Sequence, residues 1–187
     1  MVPEASPLTD QCLDLFAGRV RAFRGVGGVV RRPPHDRDQL AVWQDEVADY
    51  RERFLRSGTA DQYPRVRDGL ELMCTALHRP QCLLALRAQE CHGALSYTIR
   101  RDGDIWVGSV GSKQRSDAPG AGVALEYEIA QIAAELGVAV QGIYLEDARS
   151  WHQELCRRLD VGLARFTSTW TREDCQRLRD GIRDRLA

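Results

Sequence analysis

The sequence lacks the features of several broad classes of protein. No apolar run approaches the length of about 20 residues that a membrane-spanning helix needs. The opening residues, MVPEASPLTDQC, have neither the basic start nor the apolar run of a signal peptide. We therefore expect no membrane association and a location in the cytoplasm, where thiols stay reduced.

An excess of charge of one sign is also missing. The 187 residues include 26 Lys and Arg against 27 Asp and Glu, for a formal net charge of -1. This balance argues against a protein that coats nucleic acid. Lys113 is the only lysine, so nearly all of the positive charge is arginine.

Closely spaced cysteines, which form structural metal sites, are absent as well. The six cysteines are scattered, at Cys12, Cys74, Cys82, Cys91, Cys156 and Cys175. We therefore predict no metal site. The hydrophobic content of 43% is sufficient for the core of a single domain.

The most informative stretch, Ile105 to Leu136, joins an apolar segment, a glycine loop and an amphipathic segment. The loop ends in Gly120-Ala121-Gly122, and the amphipathic segment predicts one helical stripe of Leu125, Ile129, Ile132 and Leu136. A helix that begins after small residues offers unpaired N–H groups and the positive end of its dipole to an anion such as phosphate. The same glycines also suit an ordinary tight turn from strand to helix.

Hydrophobic periodicity and turn residues predict six helices and six strands along the chain. The predicted helices run from Thr9 to Gly25, from Asp36 or Asp38 to about Gly58, from about Pro64 to His78, from Val123 to Leu136, from Asp147 or Ser150 through Leu159, and from Thr171 through Leu186. Thr9 suits a helix cap, Thr171-Arg172-Glu173-Asp174 suits the start of the last helix, and the second helix has an apolar stripe of Leu40, Trp43, Val47, Tyr50 and Phe54. The predicted strands are Val29 to Arg32, Cys82 to Leu86, Ala94 to Ile99, Ile105 to Val110, Val138 to Leu145 and Leu163 to Trp170. Turns are expected at Gln89 to His92 and at Arg101 to Asp104.

The order of these elements predicts a mixed sheet. Three strands in succession form an antiparallel meander, and two crossovers at the end imply parallel neighbours. In the strand before the glycine loop, Gly108 and Gly111 fit either a bulge or the close approach of a ligand.

That order, with the glycine loop between the fourth strand and the third core helix, resembles the GNAT N-acyltransferase superfamily over about residues 28 to 170. The family's loop reads Gln or Arg, two residues, Gly, one residue, then Gly or Ala, often with Leu three residues later. Gly120-Ala121-Gly122 and Leu125 match this pattern. Asp117 stands where the family has Gln or Arg, and Arg115 comes two residues earlier.

A second family signature lies on the helix after the fifth strand: an Asn, an Ala three residues on, then a Tyr followed by a charged pair and Leu-Gly-Phe. Arg149, His152 and Cys156 stand in a similar arrangement here, and Arg157-Arg158-Leu159-Asp160-Val161 follows. The spacing and the apolar end are retained, while the Asn, the Tyr and the Gly are replaced.

The resemblance implies an α/β (α+β) fold: a GNAT-like, mostly antiparallel mixed sheet flanked by helices, with extra N-terminal and C-terminal helices. Residues 1–27 would form an extension helix and a glycine linker. Residues 28–170 would form the acyltransferase domain, and residues 171–187 a helix packed on that domain.

The resemblance also implies acetyl-coenzyme A, or another acyl-coenzyme A, as the cofactor. Its pyrophosphate would lie on backbone N–H groups of the glycine loop, and its pantetheine arm along the free edge of the fourth strand. The cofactor contacts implied are Ser109, Val110, Gly111, Ser112, Lys113, Arg115, Ala118, Gly120, Ala121, Gly122, Val123, Arg149 and His152.

Acyl transfer to an amine requires a base for the amine, a donor for the oxyanion and an acid for the departing thiolate. A backbone N–H near Val110 can serve the oxyanion. Cys156 stands at the position of the family's Tyr acid but equally suits a buried packing role, and Tyr144 is a substitute acid or a core residue. The candidate bases are His92, which we expect in a turn at the surface, Glu146 and Asp104.

We therefore expect an N-acetyltransferase whose acceptor amine, on a small molecule, peptide or protein, binds near Trp43 and Tyr50. The terminal helices would shape the acceptor site or a homodimer contact. The alternative is a catalytically silent acyl-coenzyme A-binding or protein-interaction module on the same fold. A nucleotide-binding α/β protein is disfavoured, because dinucleotide folds place a parallel βαβ unit before the loop rather than a meander.

Overall fold

The computed structural model describes residues 8–56, 73–113, 117–142, 157 and 169–187. The strands are β1 (Val29–Arg31), β2 (Cys82–Arg87), β3 (Glu90–Ile99), β4 (Ile105–Ser112), β5 (Val140–Gln141) and β6 (Thr169–Trp170). The helices with described bounds are α1 (Asp10–Gly25), α2 (Arg37–Arg56), α3 (Ala121–Leu136) and α4 (Arg172–Leu186). Residues 73–77 are also helical.

The six strands form one sheet in the order of the sequence, from β1 to β6. Strands β1 to β4 pair antiparallel, and β4 pairs parallel to β5, so the predicted mixed, mostly antiparallel sheet is confirmed. The second expected parallel pair is wrong, because β5 and β6 are antiparallel. A connection long enough to hold a helix can return to either end of a sheet, so the order of elements alone does not determine the direction of the next strand.

Helices cover both faces of the sheet. On one face, α1, α3 and α4 pack over a core that includes Leu83, Leu95 and Ile105. On the other face, α2 and the helical residues 73–77 pack over Leu84 and Ala94. Strands β2 and β3 have buried apolar side chains on both faces of the sheet, so both strands lie in the interior of the protein.

Helix α1 belongs to the main core rather than standing apart from it. The Thr9 side chain accepts a hydrogen bond from the Cys12 N–H, which confirms the predicted helix cap. Phe16, Val20 and Phe23 are buried against the residues of α3 and α4. Helix α1 therefore belongs to the same helical layer as α3, the helix that follows the glycine loop.

The hairpin between β2 and β3 is tighter than predicted. Its turn consists of Ala88 and Gln89 alone, with φ angles of 49° and 65°. Positive φ at both positions matches the right-handed twist of a two-residue hairpin, but Asn-Gly or Asp-Gly is the usual sequence for it. Strand β3 therefore begins at Glu90, and the prediction of His92 in a surface turn is wrong: His92 lies within β3 and is buried.

Helix α3 begins at Ala121 and is buried on most of its circumference. The predicted inward stripe is confirmed for Leu125, Ile129 and Ile132. It is wrong for Leu136, which is 52% exposed because it is the last residue of the helix, just before the left-handed Gly137. The predicted helix from Asp147 or Ser150, the start of the helix from Pro64 and most of the strand Leu163 to Trp170 lie outside the described residues. Of the predicted strand Val138 to Leu145, β5 begins only at Val140, and residues 143–145 lie outside the described residues.

Candidate functional site

Strand β4 carries a bulge at its centre. Ser96 pairs with Ser109 and Tyr97 pairs with Val107, so Gly108 is the extra residue. A side chain at Gly108 would place its Cβ 2.9 Å from the Ser96 hydroxyl, which is closer than packing allows. The bulge interpretation of Gly108 is therefore confirmed, and the strand twists away from its regular course at this point.

Two serine hydroxyl groups meet beside the bulge. Ser96 Oγ and Ser109 Oγ are 2.9 Å apart, and both residues are buried. Either hydroxyl can donate to the other, and the acceptor keeps its own hydrogen for a further partner. Ser109 was among the predicted cofactor contacts, while Ser96 was not predicted, because only the register of β3 against β4 brings it there.

Within the described residues, the outer edge of β4 is paired over two residues. Pairing with β5 joins Ile105 to Val140 and Trp106 to Gln141. Within the described chain, β4 continues from Val107 to Ser112 with no strand paired on that side. The backbone groups of this edge are therefore suited to an extended ligand that adds to the sheet.

Strand β4 leads, through residues 113–120, to the start of α3. Gly120 is the helix N-cap, with a φ of 82°, and no side chain caps the first turn. A Cβ at Gly120 would collide with the backbone carbonyl oxygen of Arg19 in α1. Gly120 is therefore required both by its left-handed conformation and by the contact of the loop with α1.

Helix α1 limits which part of the glycine loop a ligand can reach. Ala118, Ala121 and Val123 are buried, so their side chains pack inward. Gly122 is only half-buried, and a Cβ placed there would lie 3.3 Å from the hydroxyl of Ser112, at the end of β4. Gly122 and Pro119 are thus the accessible residues between Ala118 and Val123, and Ser112 lies beside Gly122.

Charged side chains of both signs surround the loop. The Lys113 ammonium lies 5.6 Å from the centroid of the Phe54 ring, which is within the range of a cation–π interaction. An Arg87 nitrogen lies 3.6 Å from a carboxylate oxygen of Asp117. Arg87, at the end of β2, was not predicted, because no local pattern shows which strand end adjoins the loop. Arg115 lies outside the described residues.

His92 lies near the loop end of the sheet. Its carbonyl oxygen accepts a hydrogen bond of 2.8 Å from the Lys113 N–H, and its Nε2 is 3.6 Å from a carboxylate oxygen of Glu90. Asp104 lies at the opposite end of β4, where its carboxylate accepts 2.9 Å and 3.4 Å hydrogen bonds from the Gln141 amide and the Ala139 N–H. Asp104 thus joins β4 to the start of β5, and a catalytic role for either residue stays a prediction.

The remaining catalytic candidates, Cys156, Tyr144 and Glu146, and the cofactor candidates Arg149 and His152, lie outside the described residues. Two described cysteines are unsuited to nucleophilic chemistry, because burial raises the pKa of the Cys82 thiol and of the Cys91 thiol to about 12. Glu126, on α3, is a buried acid that the sequence analysis did not single out. Glu126 lies on the buried side of α3, where the sequence predicts only the packing of apolar side chains.

The region predicted to receive the acceptor is partly closed. Trp43 is buried, and its Nε1 donates a 3.2 Å hydrogen bond to the Pro80 carbonyl. Tyr50 is half-buried, with the Arg53 guanidinium 4.7 Å from its ring centroid. Trp43 therefore serves the core in this structure, whereas Tyr50 keeps an accessible face.

Among the described residues, no cluster of three or more His, Cys, Asp or Glu side chains is placed to hold a metal ion. No helix within the same residues is long and apolar enough to span a membrane. No family model, curated protein or solved structure matches this chain.

Proposed function

We propose that the protein is an acyl-coenzyme A-dependent N-acyltransferase, most simply an N-acetyltransferase of the cytoplasm. One observation carries the proposal: among the described residues, β4 runs past its β5 partner, and it leads to the glycine-capped first turn of α3. An extended ligand on the free edge would bring its anionic end to the positive end of the α3 dipole. Acyl-coenzyme A has both parts, a pantetheine arm that forms backbone hydrogen bonds and a pyrophosphate.

Because several residues of the glycine loop are buried, fewer of them can contact the pyrophosphate than the sequence predicted. We expect the N–H of Gly122, the hydroxyl of Ser112 and the ammonium of Lys113 to be its donors, because these three residues are half-buried rather than buried. The pantetheine arm would run along Val110 and Gly111. The acyl carbonyl would then lie close to the bulge at Gly108, where regular pairing is interrupted and a backbone N–H can bind the oxyanion.

The reaction joins the amine nitrogen to the acyl carbon and breaks the carbon–sulfur bond. The amine loses a proton to a base, the carbonyl oxygen carries negative charge in the tetrahedral intermediate, and the departing thiolate takes up a proton. The hydroxyl pair of Ser96 and Ser109 supplies an exchangeable proton beside the bulge. Cys156 and Tyr144 remain the alternative acids, with His92, Glu146 and Asp104 as the candidate bases.

The test of cofactor binding is titration of the protein with acetyl-coenzyme A by calorimetry. Gly122→Glu places a carboxylate against the phosphates, so we expect its affinity to fall at least about 100-fold, as for an uncompensated charge in a binding site. Gly122→Gln is the matched neutral control and should lose much less. Absence of binding by the unmodified protein at millimolar ligand, or equal affinity of the two variants, would contradict the proposal.

Activity is tested separately by thiol release from acetyl-coenzyme A across a panel of primary amines. An N-acyltransferase accelerates release with at least one amine above the rate in buffer. Binding of acetyl-coenzyme A without any such acceleration would instead identify the protein as a silent acyl-coenzyme A-binding module.

A further inference from the structure

The Arg79 side chain lies beside the bulge of β4. A Cβ placed on Gly108 would be 3.7 Å from the Arg79 Nε and 2.9 Å from the Ser96 hydroxyl. Ser96 is two residues from Ala94 along β3, so its side chain points to the face of the sheet that α2 covers. Arg79 therefore reaches the bulge from that face, where both Arg79 and Gly108 are exposed to solvent.

The charge of Arg79 has no counter-ion within the part of the chain that the structure describes. Its guanidinium forms neither a hydrogen bond nor an ion pair there. The neighbouring residue, His78, has its ring Nδ1 3.5 Å from an Arg51 nitrogen, so the next group along the chain also contacts a cation rather than a carboxylate. An anion can therefore bind Arg79 without displacing a carboxylate of the described residues.

Hydrogen bonds fix the backbone that follows Arg79. The Pro80 carbonyl accepts a 3.2 Å hydrogen bond from the Trp43 indole, and the Gln81 carbonyl accepts one of 3.2 Å from the Tyr97 N–H. These bonds join the segment to α2 on one side and to β3 on the other. The start of the Arg79 side chain is thus held near the bulge, and only its own torsions remain free to adjust to a ligand.

The number and shape of the donors favour a carboxylate over a phosphate. One guanidinium balances a single negative charge, and its paired N–H groups match the two oxygens of a carboxylate. A phosphate monoester carries a charge of about −1.5 to −2 at neutral pH, so it needs a further cation. Lys113 lies five residues after Gly108, about 16 Å away along an extended chain, which is too far to supply one.

We propose that Arg79 binds the carboxylate of the acceptor, and that the acceptor is an α-amino acid. This inference rests on the acyltransferase function proposed above, which brings the acyl carbonyl close to Gly108. Two bonds join the amine nitrogen of an α-amino acid to its carboxyl carbon, a separation of about 2.5 Å. A carboxylate held by Arg79 therefore keeps the amine beside the bulge, within reach of the acyl carbon.

The first test measures binding without acetyl-coenzyme A. L-Leucine and L-leucinamide differ only in having a carboxylate or a neutral amide, and each is titrated into the ¹⁵N-labelled protein. We expect leucine to shift the backbone amides of Arg79, Gly108 and Ser109 with an affinity about tenfold above that of leucinamide, as for a hydrogen bond to a charged group.

The second test measures transfer, as thiol release from acetyl-coenzyme A with the same two amines. Arg79→Gln keeps a polar side chain and removes the charge, so we expect it to raise KM for leucine about tenfold and to leave kcat for leucinamide unchanged. Arg101→Gln is the matched control, because Arg101 is another exposed arginine, in the turn between β3 and β4, and it should change neither value. Circular dichroism checks that both variants fold.

Three results would overturn the inference. Leucine and leucinamide could bind equally well, Arg79→Gln could retain the preference for leucine, or Arg79→Gln could lower kcat equally for both amines, which would assign Arg79 to the oxyanion. Failure of the acyltransferase proposal is distinguishable from these results: no amine would then accelerate thiol release, whereas the titration alone decides whether Arg79 binds a carboxylate.

Discussion

Three glycines near the candidate site are required to different degrees. Gly108 allows β4 to bulge beside the Ser96 hydroxyl, 2.9 Å from where a Cβ would stand. Gly120 combines a left-handed φ of 82° with a close contact to the Arg19 carbonyl. Gly122 has neither restriction, since a Cβ there would meet only the Ser112 side chain, at 3.3 Å. The glycine that best probes ligand binding is therefore Gly122, because a change there disturbs the fold least.

Replacement of Gly120 by alanine should destabilise the protein by at least about 2 kcal/mol, because the new Cβ adds backbone strain and a collision with α1. Urea unfolding followed by circular dichroism measures the change. Gly122→Ala is the matched control, for which we expect a change within about 1 kcal/mol. Equal stability of the two variants would show that α1 does not pack on Gly120 as described.

Arg32 makes part of the stability dependent on pH. Its hydrogen bonds to Glu135 hold the pKa of that carboxyl below its ordinary value of 4.5. A carboxyl with a lowered folded pKa adds stability above its unfolded pKa, and this contribution is lost as the pH falls through the folded pKa. The stability that the pair supplies is therefore present at neutral pH and declines in acid below pH 4.5.

Arg32→Gln should accordingly lower stability at neutral pH, and the difference from the unmodified protein should shrink as the pH falls below 4.5. Urea midpoints measured across this range test the expectation. Arg56→Gln, which removes one partner of an exposed pair on α2, should change the midpoint little at any pH. A difference for Arg32→Gln that stays constant with pH would contradict the assigned pair.

At the scale of whole elements, the two terminal helices are defined by their caps. Thr171 accepts a hydrogen bond from the Asp174 N–H, and the Asp174 carboxylate accepts one from the Thr171 N–H. This capping box satisfies donors that the first turn of α4 leaves without intrahelical partners. It fixes where α4 begins, and thereby the position of Cys175 and Leu178 in the core.

Thr171→Ala should cost about 1 kcal/mol, because it leaves an N–H of the first turn without its side-chain acceptor. Thermal unfolding measures the loss, and Thr171→Ser, which keeps the hydroxyl, should retain most of the stability. If alanine and serine are equally tolerated, solvent rather than the cap satisfies the helix end.

For the molecule as a whole, the sequence predicted those features that local patterns determine. The caps Thr9 and Thr171, the meander of β2, β3 and β4, and the helix after the glycine loop all follow from residues close together in the chain. Periodicity also identified α2 through Trp43, Val47 and Phe54. Such signals are carried by neighbouring residues and survive any tertiary arrangement that buries the same faces.

Features that depend on distant segments were not predictable. The antiparallel pairing of β5 with β6, the contact of Ser96 with Ser109, and the ion pair of Arg87 with Asp117 each require a register or a strand direction. The position of His92 was mistaken because its turn uses Ala88-Gln89 instead of a glycine signal. At the candidate site, the sequence indicated a glycine loop, but only the fold shows that Gly120 of this loop packs against Arg19 of α1.

The packing of α1 has a consequence for synthesis of the chain. The Asp14 carboxylate accepts a hydrogen bond from Arg185 across 171 residues, and Arg19 meets Gly120 of the loop. Domains generally emerge from the ribosome N-terminal end first. The apolar face of α1, with Phe16 and Phe23, is therefore made long before α3 and α4 exist to cover it. On the nascent protein this apolar face stays uncovered until α3 and α4 have been made, and the glycine loop can pack on Arg19 only after Gly120 has been translated.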